Sequence, residues 1–229
     1  MIKAIAIDID GTMTYKDRRL DVAALDAVRR AEVAGLSVVL ATGNVFCFAE
    51  AAAILLGASG PLIAEDGGIV FDRVNGREHV LGYRVETERG LAALKKVFSD
   101  LRQTRSSRMR LTGLTIERTI TAEQAMEVFR MEALDLVAID SGFAIHVKSP
   151  SVNKGDALRK AASLLGISTA EIAAIGDAPN DVEMLRVAGL SFAVANSHEL
   201  AKKAATQVTK KSHGEGVAEA VEKIIELYR

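Results

Sequence analysis

The chain has 229 residues, of which 49% are hydrophobic and 26% are charged, a composition that supports a large buried core and excludes a disordered protein. Its 29 basic and 30 acidic residues give a net charge of −1, and its single cysteine, Cys47, cannot form an internal disulfide. These values exclude a disulfide scaffold and any global attraction to polyanions. We therefore expect a cytoplasmic protein with no nucleic-acid or membrane partner, and the oligomeric state stays open, a homodimer included.

The first part of the chain predicts alternating strands and helices. An Ile-rich run over residues 3–10 is apolar up to its carboxylates, which is typical of a strand buried on both faces of a parallel sheet. Helices and strands then alternate over residues 21–34, 37–42, 45–56 and 61–65. This alternation predicts βαβ units with right-handed crossovers and a doubly wound sheet.

The parallel pattern is interrupted after residue 68. Two short apolar runs flank Asn75-Gly76, which predicts a tight hairpin between antiparallel strands. Residues 83–153 then have the patterns of two helices and three strands, and strand–helix alternation returns from Lys154 to a last helix over residues 216–228, which follows a loop at 212–216. We predict an α/β fold in which residues 1–82 and 154–229 form a doubly wound, Rossmann-like parallel core, and residues 83–153 form a small inserted α+β cap domain.

Acidic side chains follow two of the predicted core strands. Asp8 and Asp10 end the first strand, and Asp177 and Asp181 follow the strand at 172–176. Ligands of open α/β sheets bind at the carboxyl ends of the strands, so these carboxylates should lie close together. Their mutual repulsion would raise at least one pKa unless a divalent cation lay among them. A set of oxygen ligands without His or Cys favours Mg²⁺, which commonly also binds a phosphate oxygen, so we expect a phosphorylated substrate.

Other polar residues at the same edge suit a phosphoryl group. Lys154, which opens the first helix after the insertion, offers a positive charge, and Thr42, at the end of the second strand, offers a hydroxyl donor. Gly11 and Gly43 allow backbone N–H groups to approach an anion closely. These residues therefore predict a phosphoryl-binding site at the carboxyl ends of the strands.

These motifs resemble those of the haloacid dehalogenase superfamily of phosphatases. The four motifs of that superfamily are present in order, as Asp8-Ile9-Asp10-Gly11-Thr12, Thr42-Gly43, Lys154 and Gly176-Asp177-Ala178-Pro179-Asn180-Asp181. The resemblance covers essentially the whole chain, including an insertion where the type-two caps of the superfamily lie. It implies a Mg²⁺-dependent phosphatase with the predicted core and cap.

The resemblance also implies a role for each motif residue. Asp8 would be the nucleophile that forms an aspartyl-phosphate, and Asp10 would be the general acid and base. Thr42 and Lys154 would hold the phosphoryl group. The metal ligands would be Asp8, the backbone carbonyl of Asp10, and Asp177, with Asp181 in or just behind the coordination shell.

Within the superfamily, the chain is most similar to the archaeal-type phosphoglycolate phosphatases. It has Thr42-Gly43-Asn44 where many sugar-phosphatase relatives have Thr-Gly-Arg, and its cap is abbreviated in the same way. This similarity implies that 2-phosphoglycolate is the substrate and that Gly43 and Asn44 belong to the binding site. Arg108 and Arg110, in an arginine-rich cap segment without the interleaved aromatic residues of single-strand binders, are candidates for the substrate carboxylate.

Other functions stay open at this stage. One is a phosphatase of sugar phosphates or other metabolites, or a phosphomutase, of the same superfamily. Another, from a different class, is a receiver-type phospho-acceptor module, which also combines a strand-end Asp with an acidic pair, a Thr and a Lys. Receivers carry no inserted cap and place their acceptor after the third strand, so the enzyme is favoured.

Overall fold

The computed structural model describes residues 1–228 and contains two compact units. The core unit comprises Met1–His79 together with the chain from Asn153 onward, and the inserted unit comprises Val80–Val152. The core is therefore built from two separate stretches of chain. No helix of the described residues has both the length and the apolarity needed to cross a bilayer.

The described chain forms eleven strands. They are β1 (Ala4–Asp8), β2 (Ser37–Ala41), β3 (Leu62–Ala64), β4 (Ile69–Asp72), β5 (Arg77–Val80), β6 (Leu114–Ile116), β7 (Val137–Asp140), β8 (Ile145–Lys148), β9 (Ile172–Gly176), β10 (Leu190–Ala193) and β11 (Gln207–Val208). Eight of them form one sheet in the order β11-β10-β9-β1-β2-β3-β4-β5. All the pairs from β11 to β3 are parallel, and β3 pairs with β4 antiparallel. The predicted α/β fold with a mostly parallel sheet is thus confirmed.

Eight helices accompany these strands. They are α1 (Val22–Val33), α2 (Phe46–Leu56), α3 (Arg84–Val97), α4 (Ala122–Met131), α5 (Lys154–Leu165), α6 (Val182–Val187), α7 (Glu199–Ala204) and α8 (His213–Tyr228). In the core unit, α1, α2 and α8 pack with Ile5 and Ile7 in one apolar cluster, whereas α5, α6 and α7 pack with Ala4 and Ala6 in a second. Because successive strand residues point to opposite faces, β1 is buried on both sides.

The last helix begins earlier than its sequence predicts. Helix α8 starts at His213, so the loop predicted at 212–216 is wrong from residue 213 onward. A glycine inside a helix costs only about 1 kcal/mol relative to alanine, which packing can outweigh. A Cβ on Gly214 would lie 2.5 Å from the Cβ of Asp21, the N-cap of α1. The missing side chain therefore lets the first turn of α8 approach the start of α1.

The apolar pattern of α2 does not identify its buried face. Cys47 is exposed, although its apolar neighbours predict a core position. The residues that α2 buries are Ala49, Ala53 and Leu56. Since Glu50 is the one polar residue of this helix, the spacing of apolar residues could not separate its buried side from its outer side.

The inserted unit has its own sheet and core. Its three strands are antiparallel and lie in the order β6-β8-β7. Helices α3 and α4 contribute Leu94 and Phe129 to an apolar cluster with strand residues such as Ile145. A Cβ on Gly90 would lie 2.4 Å from Leu136 Cδ1, so glycine permits this close approach of α3.

Candidate active site

The site lies at the carboxyl ends of β1, β2 and β9, which are adjacent in the sheet. Asp8 is the last residue of β1, and Asp177 follows the last residue of β9. A Cβ on Gly176 would lie 2.8 Å from the Cβ of Asp181. The glycine that ends β9 therefore allows the Asp181 side chain to fold back over the strand end.

Lys154 joins two of the carboxylates. Its Nζ donates to Asp8 Oδ1 at 2.5 Å and to Asp181 Oδ1 at 2.6 Å, and its side chain is 0% exposed. It is the first residue of α5, after the N-cap Asn153, whose side chain accepts from the amide of Asp156. Burial lowers the pKa of Lys154, but the Asp181 and Asp8 carboxylates outweigh burial and raise it. The ammonium is therefore charged at neutral pH.

The carboxylates of Asp181 and Asp177 are held by further hydrogen bonds. Asp181 Oδ2 accepts from the amides of Asp177 and Ala178, both at 3.0 Å. Thr12, in the turn after β1, donates its hydroxyl to Asp177 Oδ1 at 2.7 Å. The two segments are thus tied to each other directly at the site.

Asp8, Asp177 and Asp181 form a cluster that could hold a metal ion. One carboxylate oxygen of each lies within 4.8 Å of the others, and Asp8 Oδ2 is buried without a hydrogen-bond partner among residues 1–228. Burial and Asp181 raise the pKa of Asp8 well above its usual value, and burial and Asp181 raise the pKa of Asp177 to about 6. A cation would remove this repulsion, so the donor set fits a metal that prefers oxygen ligands.

Asp10 does not place its carboxylate in this cluster, so three carboxylates converge rather than the four expected. Asp10 Oδ2 accepts from Asn44 Nδ2 at 2.5 Å and from the Thr42 hydroxyl at 3.3 Å. Asp10 Oδ1 accepts from Arg18 Nε at 3.1 Å. The Asp10 carboxylate is therefore held by the loop after β2 and by the turn that follows β1.

The loop after β2 brings three of the predicted residues together. Thr42 is fully buried, and its hydroxyl oxygen accepts from the amide of Asn44 at 3.0 Å. The Thr42 carbonyl accepts from the amide of Asp66, and the Asn44 carbonyl accepts from the amide of Glu65. Gly43 lies between Thr42 and Asn44. The two backbone hydrogen bonds therefore brace this loop against the loop after β3.

Two further residues of the site, Arg18 and Asp66, lie outside the four sequence motifs. Arg18 contacts Asp10, as described above, but its sequence context of alternating charges is typical of a solvated turn. Asp66 is buried and accepts from Asn180 Nδ2 at 2.9 Å. It lies in a left-handed turn whose Gly67 has a φ of 100°, and a Cβ there would lie 2.2 Å from the Asn153 carbonyl oxygen. The Asp66-Gly67 pair predicts a turn, but not its contact with the start of α5.

The two cap arginines expected at the substrate differ in their surroundings. Both lie in the inserted unit, in or next to a short 3₁₀ turn over Arg105–Met109. Arg108 is exposed, whereas Arg110 is 4% exposed. The Arg110 carbonyl accepts from Arg84 Nη1 at 2.6 Å. Of the two, Arg108 is the one that solvent reaches.

Comparisons with known proteins identify a family and several relatives. The family model of haloacid dehalogenase-like hydrolases matches residues 5–103 and 92–221. A phosphoglycolate phosphatase of Methanothermobacter thermautotrophicus is 41% identical over 98% of this chain and 99% of its own length. A phosphoglycolate phosphatase of Archaeoglobus fulgidus is 40% identical over 96% of each chain.

Solved structures are similar along the whole chain. The crystal structure of Thermoplasma acidophilum 0175 is 31% identical, with a TM-score of 0.89 over 99% of both chains. A haloacid dehalogenase-like hydrolase from Bacteroides thetaiotaomicron is 20% identical, with a TM-score of 0.80 over 98% of this chain and 100% of its own. The second likeness shows the fold alone.

Proposed function

Since this chain belongs to the haloacid dehalogenase-like hydrolases, we propose that it hydrolyses 2-phosphoglycolate to glycolate and phosphate. The observation that best supports phosphatase activity is the position of Asp8. This residue ends a strand, is buried against Lys154, and lies close to Asp177 and Asp181. The choice of substrate is supported by the names of relatives that are about 40% identical over nearly the full length. A small phosphorylated substrate is common to all of them.

In the first step, the Asp8 carboxylate forms a bond to phosphorus and the bond from phosphorus to the ester oxygen breaks. Asp10 gives a proton to the departing oxygen, which leaves as the glycolate hydroxyl. In the second step, Asp10 takes a proton from water as the water oxygen bonds to phosphorus, and Asp8 is released with free phosphate. Lys154 and Thr42 stabilise the phosphoryl oxygens, together with backbone donors at Gly43.

We propose Mg²⁺ as the cofactor. Asp8, Asp177 and Asp181 would hold it, with the backbone carbonyl of Asp10 as a further ligand, and these are oxygen donors of the kind that Mg²⁺ prefers. When bound, the ion offsets the negative charge of the phosphoryl group. Asp8 Oδ2, which has no hydrogen-bond partner in the described part of the chain, supports this assignment, because a buried carboxylate oxygen needs a donor or a cation.

Mg²⁺ is expected to raise the temperature of thermal unfolding, and EDTA is expected to abolish activity. The shift in unfolding temperature should shrink below about pH 6, because Asp177, with its pKa raised to about 6, must lose its proton to bind a cation. Thermal unfolding measured with and without Mg²⁺ at several pH values checks this.

Ca²⁺ should bind but support little turnover, since its longer and less regular coordination misplaces the reacting groups. Full activity after exhaustive chelation would contradict the metal site.

Asp10→Asn is expected to slow alkyl phosphates more than aryl phosphates. An alkoxide leaving group needs a proton from the acid, whereas p-nitrophenolate leaves readily without one. The ratio of kcat/KM for p-nitrophenyl phosphate to that for phosphoglycolate should therefore rise by at least about tenfold. Equal losses on both substrates would show that Asp10 is not the acid.

The proposed function is tested with a panel of phosphomonoesters and purified protein in Mg²⁺. The panel should contain phosphoglycolate, sugar phosphates, nucleotides and pyridoxal phosphate, with free phosphate as the product measured. The highest kcat/KM is expected for phosphoglycolate. A higher value for a sugar phosphate would replace the substrate but keep the phosphatase.

The same assay separates the other functions. A mutase would convert phosphorylated substrate without releasing phosphate. The receiver-type alternative is not supported, because the family match is to hydrolases. The homodimer, the cytoplasmic location and the absence of a nucleic-acid partner stay predictions from the sequence.

A further inference from the structure

Arg18 lies beside Asp10 although it belongs to a turn at the surface. Its Nε is 3.1 Å from Asp10 Oδ1, and its Nη2 is 3.4 Å from Asn44 Oδ1. The guanidinium carbon lies 5.9 Å from the centre of the Phe48 ring, within the range of a cation–π contact. Asn44 and Phe48 thus hold the Arg18 guanidinium beside the carboxylate of the proposed acid.

The backbone of this turn supports the same placement. Tyr15 donates its amide to the Arg19 carbonyl, and Arg18 donates its amide to the Tyr15 carbonyl, both at 2.9 Å. Arg18 has a φ of 68°, a left-handed conformation that is uncommon for a residue with a side chain and is concentrated at functional sites. An arginine thus occupies a position where glycine or asparagine would be less strained.

We propose that Arg18 binds the carboxylate of the leaving group, an inference that rests on the proposed function. In phosphoglycolate a single methylene separates the carboxylate from the ester oxygen that Asp10 protonates. A guanidinium already hydrogen-bonded to Asp10 is therefore next to the position of that carboxylate. The planar fork of arginine matches a carboxylate through two parallel hydrogen bonds.

Burial separates Arg18 from the other cation near the site. Lys154 is enclosed between Asp8 and Asp181 and is 0% exposed, so its charge lies beside the proposed nucleophile. The Arg18 side chain is 42% exposed and the Asp10 side chain 19% exposed. An exposed ion pair of this kind is weak, so a substrate carboxylate can replace the Asp10 contact at little cost.

The test compares two alkyl phosphates in the Mg²⁺-loaded protein. In 2-hydroxyethyl phosphate a neutral hydroxymethyl group takes the place of the carboxylate of phosphoglycolate, and both esters need the acid. The variant is Arg18→Asn, since asparagine tolerates a left-handed φ. The matched control is Arg19→Asn, which removes an arginine of the same turn that is 79% exposed and paired with Asp17. Circular dichroism and thermal unfolding establish that each variant is folded.

For Arg18→Asn we expect KM for phosphoglycolate to rise by at least about tenfold, with kcat/KM for 2-hydroxyethyl phosphate within about twofold of the wild type. Arg18→Lys, which keeps the charge but not the fork, should recover part of the loss. Arg19→Asn should leave both substrates unchanged.

Three results overturn the proposal. If Arg18→Asn lowers kcat/KM equally for both esters, Arg18 acts only by orienting Asp10. If Arg19→Asn raises KM for phosphoglycolate as much as Arg18→Asn does, the effect belongs to the turn as a whole. A preference for phosphoglycolate that survives in Arg18→Asn overturns the proposal in every case, and its disappearance when Arg108 and Arg110 are both replaced by Ala would assign the carboxylate to the inserted unit. A wild-type protein with no preference between the esters contradicts the proposed substrate itself, which distinguishes that failure from the others.

Discussion

Asp8→Asn is expected to lower kcat for every phosphomonoester by at least about a thousandfold, because an amide cannot attack phosphorus. The fold should survive, since Asn Oδ1 can still accept from Lys154 Nζ, as Asp8 Oδ1 does at 2.5 Å. Initial rates of phosphate release with saturating Mg²⁺ measure the effect. Activity within tenfold of the wild type would show that another group is the nucleophile.

The same variant should be no less stable than the wild type in EDTA. Burial and Asp181 raise the pKa of Asp8 in the folded protein, so the stability that protonated Asp8 provides is present at low pH and is lost as the pH rises through the folded pKa. Where the Asp8 carboxylate is ionised in the folded protein it therefore opposes folding, and a neutral amide removes that penalty. The midpoint of thermal unfolding at pH 7 without metal should be equal or higher.

Asp72→Asn provides a matched control with the opposite outcome. Asp72 ends β4, which runs antiparallel to β3, so it lies at the other edge of the sheet. A hydrogen bond from the Asn75 side chain lowers the pKa of Asp72, so its ionised form stabilises the fold at neutral pH and this contribution is lost as the pH falls. Asp72→Asn should therefore keep activity and lose stability. A stable but inactive Asp72→Asn protein would contradict the expectation that Asp8 matters for catalysis and Asp72 for stability.

Lys154→Met is expected to lower the free energy of unfolding by about 3–5 kcal/mol in the absence of metal, because it leaves two buried carboxylates without their cation. Lys154 lies 2.5 Å from Asp8 Oδ1 and 2.6 Å from Asp181 Oδ1. Turnover should be lost as well, since the phosphoryl group loses its positive partner. Urea unfolding in EDTA, followed by circular dichroism, measures the change.

Two further proteins establish the cause of this destabilisation. Arg159→Met removes a cation from the same helix whose exposed pairing with Asp156 is worth about 0–1 kcal/mol, so it should have little effect. Combining Lys154→Met with Asp181→Asn should recover part of the loss, because one of the two unpaired carboxylates is gone. Full stability of Lys154→Met would mean that the carboxylates are already protonated at the pH of the measurement.

The central sheet could be predicted well because its buried strands are continuous apolar runs in the sequence. In β1 the Ile-rich run ends at Asp8, and the structure buries all five strand residues. Helix ends that depend on a distant contact were harder. The start of α8 at His213 depends on how closely Gly214 approaches Asp21, and no local pattern encodes that approach.

Part of the site could also be predicted from the sequence. The order of the motifs places Asp8, Asp177 and Asp181 at adjacent strand ends, and the structure brings them together with Lys154 at the start of α5. The surroundings of Arg18 could not be predicted, because charged residues in a turn have the same sequence pattern whether they contact solvent or a carboxylate. The catalytic roles of all these site residues stay proposals.

The position of β1 in the sheet has a consequence for the newly made chain. Ala4 pairs with Ser37 on one side and with Ile172 on the other, and translation proceeds at about 5–20 residues per second. One hydrogen-bonding edge of an Ile-rich strand therefore stays unpaired until β9 has left the ribosome, and such edges recruit other chains. A fragment that ends before Ile172 is therefore expected to aggregate when it is expressed.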